Sequence, residues 1–475
     1  MAAKTTLNAK NLETLGAGRL SELLIEISMG NAAHKRRLRL ELAGAQSTAE
    51  VAREVRKRLS SIDRAKTYID WRKIKALKSD LETQRTMISG TIADGDPDEA
   101  MDLLWRFLEL AGSIFARCDD SNGVIIGSFH AACVDLGTIA PRASHHKRLA
   151  EQVFGAIRRN EYGECDPLIP ALAAALGQSG LAQLKKLLAG WQQEKLEVPK
   201  DRVAIGWGMS GPIYADEIEA RHRDSAVRIA LQQIADAEGD VDAFVRQHSE
   251  KSQTVPSIAA QIATRLLAAG RAAEALAALD KAPPTGRPAL DIEWQHLRVE
   301  TLEVLGREAE AQAFRWQCFE RDLSVEHLKA FIKRLPDFDD IEAEEKAFAY
   351  AADFEDVHMA LMFYEGWPAP AEAAKLVLAR AGEIDGDLYE ILAKAAEWLQ
   401  EKQPLAATIL LRAMIDFSLE GGRSSRYRHA ARHLATCAIL ASHIADFGAF
   451  PDHAVYVAEL KRRHGKKHGF WSAVG

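Results

Sequence analysis

The sequence predicts an all-α protein: a solenoid of helical hairpins with almost no strand. Three observations carry this. Apolar residues recur at helical spacing between capping residues and glycine stops. A Gly-Arg joint repeats after 36 residues, at Gly270-Arg271 and Gly306-Arg307. No run alternates apolar and polar residues with a β-branched bias, and only 7% of residues are aromatic. The 475 residues allow two to four domains or one continuous repeat array. With 47% apolar and 27% charged residues, disorder as the dominant state is excluded.

The elements follow in chain order. Leu20, Leu23, Leu24 and Ile27 mark a helix that Gly30-Asn31 stops. Ser47-x-x-Glu50 is a capping box ahead of Val51, Val55, Leu59 and Ile62. Asp96 can cap the next helix, with Pro97 at the first helical position, where its missing N–H costs nothing. Met101, Leu104, Leu108 and Ala111 then line one face. Cys118–Gly123 reads as a turn before a helix through His130 and Cys133. Thr138–His145 and Glu194–Pro212 are the loop candidates, rich in Pro, Gly and Ser. Three regions are expected: a helical region with a basic block (1–140), a looser helical region with a Gly-rich loop (141–250), and repeats with a basic tail (251–475).

The repeat character is clearest around Leu266–Leu276 and Leu302–Ala311. Their 36-residue offset is close to the tetratricopeptide period, and Trp294-x-x-Leu297 partly matches the start of that pattern. One hairpin cannot bury its apolar face alone, so it stacks on the next. A fainter echo joins Pro97-x-x-Ala100-x-x-Leu103-Leu104-x-x-Phe107 to Pro404-x-x-Ala407-x-x-Leu410-Leu411-x-x-Met414.

Several segments together resemble an uncharacterised bacterial all-helical family. They are Tyr68–Arg72, Asp102–Leu108, Asp119–Gly123, Gly206-Trp207-Gly208 with Gly211-Pro212, Arg334–Asp340, Pro404–Thr408 and the ending His464–Trp471. That family is similar to the tetratricopeptide-like helical region that accompanies SWIM zinc fingers. The resemblance implies a helical fold and brings no established activity. A SWIM finger needs Cys-x-Cys and a later Cys-x-His to hold zinc tetrahedrally. Cys118, Cys133, Cys165, Cys318 and Cys437 supply no such pair, so the finger's role does not carry over.

Five cysteines form no disulfide framework and point to a reducing compartment. The start MAAKTTLNAKNLETLG has no apolar stretch of the secretory kind. The most apolar windows, Leu168–Leu176 and Leu434–Phe450, are too short or too charged to span a bilayer. A cytoplasmic protein without a membrane partner is expected, bacterial by the resemblance.

The net charge of −7 gives no global positive field, but it is unevenly spread. Lys35–Lys78 holds fourteen Lys or Arg against five Asp or Glu, a local +9 that leaves −16 elsewhere. Arg53, Arg56, Lys57, Arg58 and Arg72, interleaved with Tyr68 and Trp71, could contact phosphates and stack bases. Lys461, Arg462, Arg463, Lys466 and Lys467 make a second cluster. The same helix pattern also suits an amphipathic helix facing the acidic remainder. Trp71 reads better as a core or capping residue, and Trp207 is a candidate contact.

The remaining motifs are incomplete. Gly206-x-Gly208-x-x-Gly211 lacks the βαβ setting of a dinucleotide site, and Ser210 completes no nucleophile elbow. His429, His433 and Cys437 lie at i, i+4 and i+8 and could share a metal, though Arg428 and Arg432 would repel it. His130 and Cys133, one turn apart, are a weaker pair of the same kind. The Asp119-Asp120 turn has Cys118 where a calcium loop needs a carboxylate. The acidic run Asp337–Glu345 suits a solvated helix start. No cofactor is implied. The leading expectation is a non-enzymatic scaffold for a protein or peptide partner. A nucleic-acid-associated protein using 35–78 and 461–468 comes second, and a metal-binding protein or enzyme third. The sequence leaves the oligomeric state open.

Overall fold

The computed structural model describes residues 6–44, 47–144, 148–195, 202–209, 211–286 and 288–475. They form two units, Met1–Ser249 and Glu250–Gly475. Both are helical. The only strands among the described residues are Ala204–Gly208 and Gly211–Tyr214, which pair antiparallel.

In the first unit the caps fall where the sequence places them. The Ser47 side chain accepts from Glu50 N at 3.3 Å and opens the helix Thr48–Asp63. Only half of the box forms, because the Glu50 carboxylate turns outward to Arg53. Val51, Val55, Leu59 and Ile62 are buried along one face. Asp96 accepts from Glu99 N at 3.0 Å, and Pro97 starts the helix Pro97–Leu108. Asp120 accepts from Ile125 N and Ile126 N ahead of the helix Ile126–Ile139, so this acidic turn is a cap. The expected boundary at 140 falls inside the unit: Ile126–Ile139 packs directly on Leu168–Gln193. Gly137 allows that approach, since a Cβ there would collide with the Ala171 backbone. Leu168, Ile169, Leu172 and Leu176 are buried, so this apolar window is core. No described helix is long and apolar enough to cross a membrane.

Two expectations in this unit are corrected. The segment Glu194–Pro212, expected as a loop, holds the first strand and the turn of a β-hairpin whose second strand runs on to Tyr214; Gly211 supplies the positive φ (119°) its tight reversal needs. The residues 196–201 and Ser210 lie outside the described ones. The helix Gly16–Ser28 forms as predicted, but its Leu24 and Ile27 are exposed.

The second unit stacks consecutive helical hairpins. Pro256–Ala268 pairs with Ala272–Asp280, Pro288–Val304 with Glu308–Asp322, and Val357–Gly366 with Pro370–Ala379. Tyr389–Leu399 pairs with Pro404–Glu420, which packs in turn on Tyr427–Ala441. The 36-residue repeat is exact in its hydrogen bonding. Gly270 (φ 73°) and Gly306 (φ 69°) are left-handed. The N–H groups of Arg271 and Arg307 reach back to the carbonyls of Leu266 and Leu302, at 2.8 and 2.9 Å. Each is a Schellman ending, which closes the helix on its own last carbonyls. Each arginine then forks onto a glutamate three residues on, Glu274 or Glu310, which holds that carboxylate below its usual pKa. The distant echo also holds: Ala100, Leu103, Leu104 and Phe107 are buried, as are Ala407, Leu410, Leu411 and Met414. The acidic run opens the helix Asp339–Ala352, with Asp339, Asp340 and Glu342 in its first turn.

Candidate functional site

Within the second unit, the starts of Tyr389–Leu399 and Tyr427–Ala441 meet the side of Pro404–Glu420. They leave a cavity of about 470 Å³. Leu388, Ile391, Met414 and Ala430 supply its apolar surface; Asp387, Tyr389, Ser418, Arg426, His429 and His433 supply polar groups. Size and lining are those of a small-ligand or side-chain pocket.

The polar groups are tied in pairs. Arg426 Nη1 donates to Asp387 Oδ1 at 2.6 Å. Arg432 donates to His429 Nδ1 at 2.7 Å, which sets Nδ1 as the acceptor. Tyr389 lies edge-on to His429 and 5.7 Å, centroid to centroid, from His433. Burial holds His433 down to about 4, helped by His429 and the Arg432 charge, so its ring is neutral at neutral pH. Its Nε2 is buried without a hydrogen-bond partner among the described residues. The hydroxyl of Ser418 is spent on Met414 O at 2.7 Å.

The third member of the predicted metal set does not join. Cys437 is buried against Thr408 O at 4.0 Å and is absent from the cavity wall. Burial pushes its thiol up to about 12. A straight helix carries i, i+4 and i+8 along one side but drifts about 40° over each four-residue step. The cysteine therefore rotates into the core while the histidines remain at the cavity. Among the described residues no three His, Cys, Asp or Glu side chains are placed to hold a metal ion. His130 instead bonds Gly163 O at 2.8 Å, and Cys133 lies in the core.

A buried polar cluster lies on the other side of Pro404–Glu420. The Arg412 guanidinium sits 4.3 Å from the Tyr456 ring and donates to Pro451 O at 2.7 Å. The Tyr456 hydroxyl donates to Asp416 at 3.2 Å. Burial raises the Asp416 carboxyl to about 6.

The basic residues are mostly answered by acids. Arg53 pairs with Glu50, Arg56 with Glu99, Lys57 with Glu54 and Arg58 with Asp80. Trp71 is 65% exposed beside Arg72, 5.2 Å from its ring, so the core role expected of it is corrected. The turn Asp70–Lys73, closed by Asp70 accepting from Arg72 N, turns the indole outward. Tyr68 is exposed as well. Trp207 is 80% exposed on the β-hairpin, next to exposed Val203, Ile205 and Met209. In the tail, Arg462 pairs with Glu459 and Arg463 with Glu420. Lys461 lies over Trp471 and Lys467 over Tyr427; Lys466 is exposed. Sequence reasoning missed Asp387, Tyr389 and Arg426. No local signal marks them, because their partners lie about 40 residues away in the chain.

The model of a family described as "Family of unknown function (DUF6880)" matches residues 2–473. The chain belongs to this family. DUF6880 thus spans both units, the cavity and the basic segments. No curated protein matches the chain. Among solved structures it is similar to a circular tandem repeat protein with novel repeat topology and enhanced subunit contact surfaces. That pair shares 14% identity over 92% of each chain, with a TM-score of 0.14. So low a score leaves the architecture to rest on this structure's own helical hairpins.

Proposed function

We propose that this DUF6880 protein is a non-enzymatic helical scaffold that binds a protein or peptide partner through the cavity of its second unit. The observation that carries the reading is the cavity itself. Its apolar floor suits an aliphatic or aromatic side chain. The rim of Tyr389, His429 and the Asp387–Arg426 pair offers hydrogen bonds to a peptide backbone. Two further features support it over the other readings. The cations of 53–58 are already paired within the chain, which weakens their pull on nucleic acid. The one thiol near the histidines is buried and protonated, unsuited to nucleophilic attack. The bacterial cytoplasm remains the setting of this reading, on the cysteine usage and the resemblance to the helical region of SWIM-finger proteins.

The test places a photo-crosslinking residue at position 389, with exposed Glu401 as the control position. A protein joined at 389 and not at 401 is then purified and titrated. Saturable binding is expected, weakened by about tenfold or more in Tyr389→Ala and His429→Glu with melting temperature unchanged. A partner that binds both variants equally, or no saturable partner at 389, rejects the reading.

A further inference from the structure

We propose that the first unit carries a second binding site, for a phosphate that retains a hydroxyl hydrogen: inorganic phosphate or a phosphate monoester. The helices Ala32–Gly44, Thr48–Asp63 and Ile74–Met87 enclose a cavity of about 150 Å³. At about 30 Å³ per water this equals roughly five water molecules, the scale of a tetrahedral oxyanion.

Four cations line it: Arg36, Arg39, Lys57 and Arg58. Among the described residues only two carboxylates answer them. Asp80 Oδ2 is shared, bonded by Arg58 and 3.6 Å from Arg36 Nη2. Glu54, itself a wall residue, stands 3.9 Å from Lys57 Nζ and would repel an anion on that side. Arg39 has no ion pair among the described residues, and Arg36 Nε is buried without a partner. The local excess is two positive charges, with guanidinium donors left over. Arginine forks match an oxyanion in this way.

Gln84 decides which oxyanion. It is 1% exposed and lines the cavity. Its Nε2 donates to Asp80 Oδ1 at 3.3 Å, which fixes the amide's orientation. Its Oε1 is therefore a buried acceptor, without a partner among the described residues. Such an atom costs stability until a donor reaches it. Hydrogen phosphate and a monohydrogen monoester bring an O–H; sulfate and the diester backbone of nucleic acid bring none at neutral pH. A site of four cations alone would favour any polyanion. One with a buried acceptor favours the protonated oxyanion.

Calorimetric titration of the full chain in chloride buffer tests this with four probes: inorganic phosphate, phenyl phosphate, sulfate and a short single-stranded DNA. Phosphate is expected to bind one to one, at least tenfold more tightly than sulfate or the DNA. Arg39→Glu, an exposed position, is expected to weaken phosphate by about tenfold or more without changing the melting temperature. Gln84→Met is expected to remove the preference over sulfate; if it fails to fold, Arg39→Glu still decides. Phenyl phosphate binding like phosphate identifies a monoester site, and phosphate alone binding identifies a free-ion site. No saturable phosphate binding, equal affinity for sulfate or DNA, or binding unchanged by Arg39→Glu overturns the proposal.

Discussion

Two helices with ionisable rows meet opposite fates. Thr48–Asp63 in the first unit and Tyr427–Ala441 in the second both carry basic or titratable residues at one-turn spacing. On the first helix the row faces outward and finds acids: Glu99 from one neighbouring helix, Asp80 from another. On the second it descends from the exposed His429, through half-buried His433 on the cavity, to Cys437 in the core. Solvation separates them. A charge kept near water can be paired at little cost, whereas a titratable group that loses water gives up its charge. Spacing along a helix places groups on a side; the neighbouring helices decide whether that side is wet.

The largest effect is expected from removing core from the second unit alone. Phe363, fully buried in the second unit, contacts Phe319, Tyr364 and Trp367. Phe363→Ala is expected to cost about 3–5 kcal/mol, read by urea denaturation, and to empty the Tyr389 cavity of binding. Next come two matched glycines. A Cβ at Gly137 would strike the Ala171 backbone, and one at Gly386 the Ala413 backbone and Phe417. Each alanine variant is expected to lose about 1–3 kcal/mol. Only Gly386→Ala, one residue before Asp387, is expected to disturb the cavity as well, seen as altered Tyr389 crosslinking.

His433 is held down to about 4, so the unfolded chain takes up its proton first. Its contribution is complete above pH 6.5 and is lost as pH falls toward 4. Asp416 is raised to about 6, so its contribution is complete below pH 4 and is lost as pH rises through 6. The two slopes oppose each other over the same window. Relative to the parent, Asp416→Asn is expected to make stability rise more steeply with pH between 4 and 6, and His433→Gln less steeply, by denaturant midpoints across that range; buried His327, also held down to about 4, adds the same slope to both. Equal slopes in both variants would contradict the burial assigned to them.

Smaller effects test the repeat. Gly270→Ala and Gly306→Ala put a side chain at φ 73° and 69° with nothing within 4 Å, so each is expected to cost about 1 kcal/mol, equally. Smallest is Trp71→Ala: exposed as it is, it is expected to stay within about 0.5 kcal/mol of the parent in melting experiments.

Much of the fold was legible because its signals are local. Asp96-Pro97 and the Gly-Arg joints act through bonds to residues three to five positions away, and these form as read. The hairpin Ala204–Gly208 with Gly211–Tyr214 is not legible, because glycines that break a helix also permit a tight β reversal. Trp71 departs from the rule that a large apolar side chain buries, because it sits in the Asp70 turn, which holds it outward. The sites were hardly legible. Tyr389 meets His429, and Arg58 meets Asp80, only when separate helices pack.

Local sequence sets the helices, their caps and the repeat joint, since propensity, capping and periodicity act within one or two turns of chain. Packing between helices sets which charges pair across them, such as Arg56 with Glu99 and Arg58 with Asp80, which histidine is neutral and where the two cavities lie. Those depend on distance and water exclusion between segments far apart in the chain, and no local pattern encodes either.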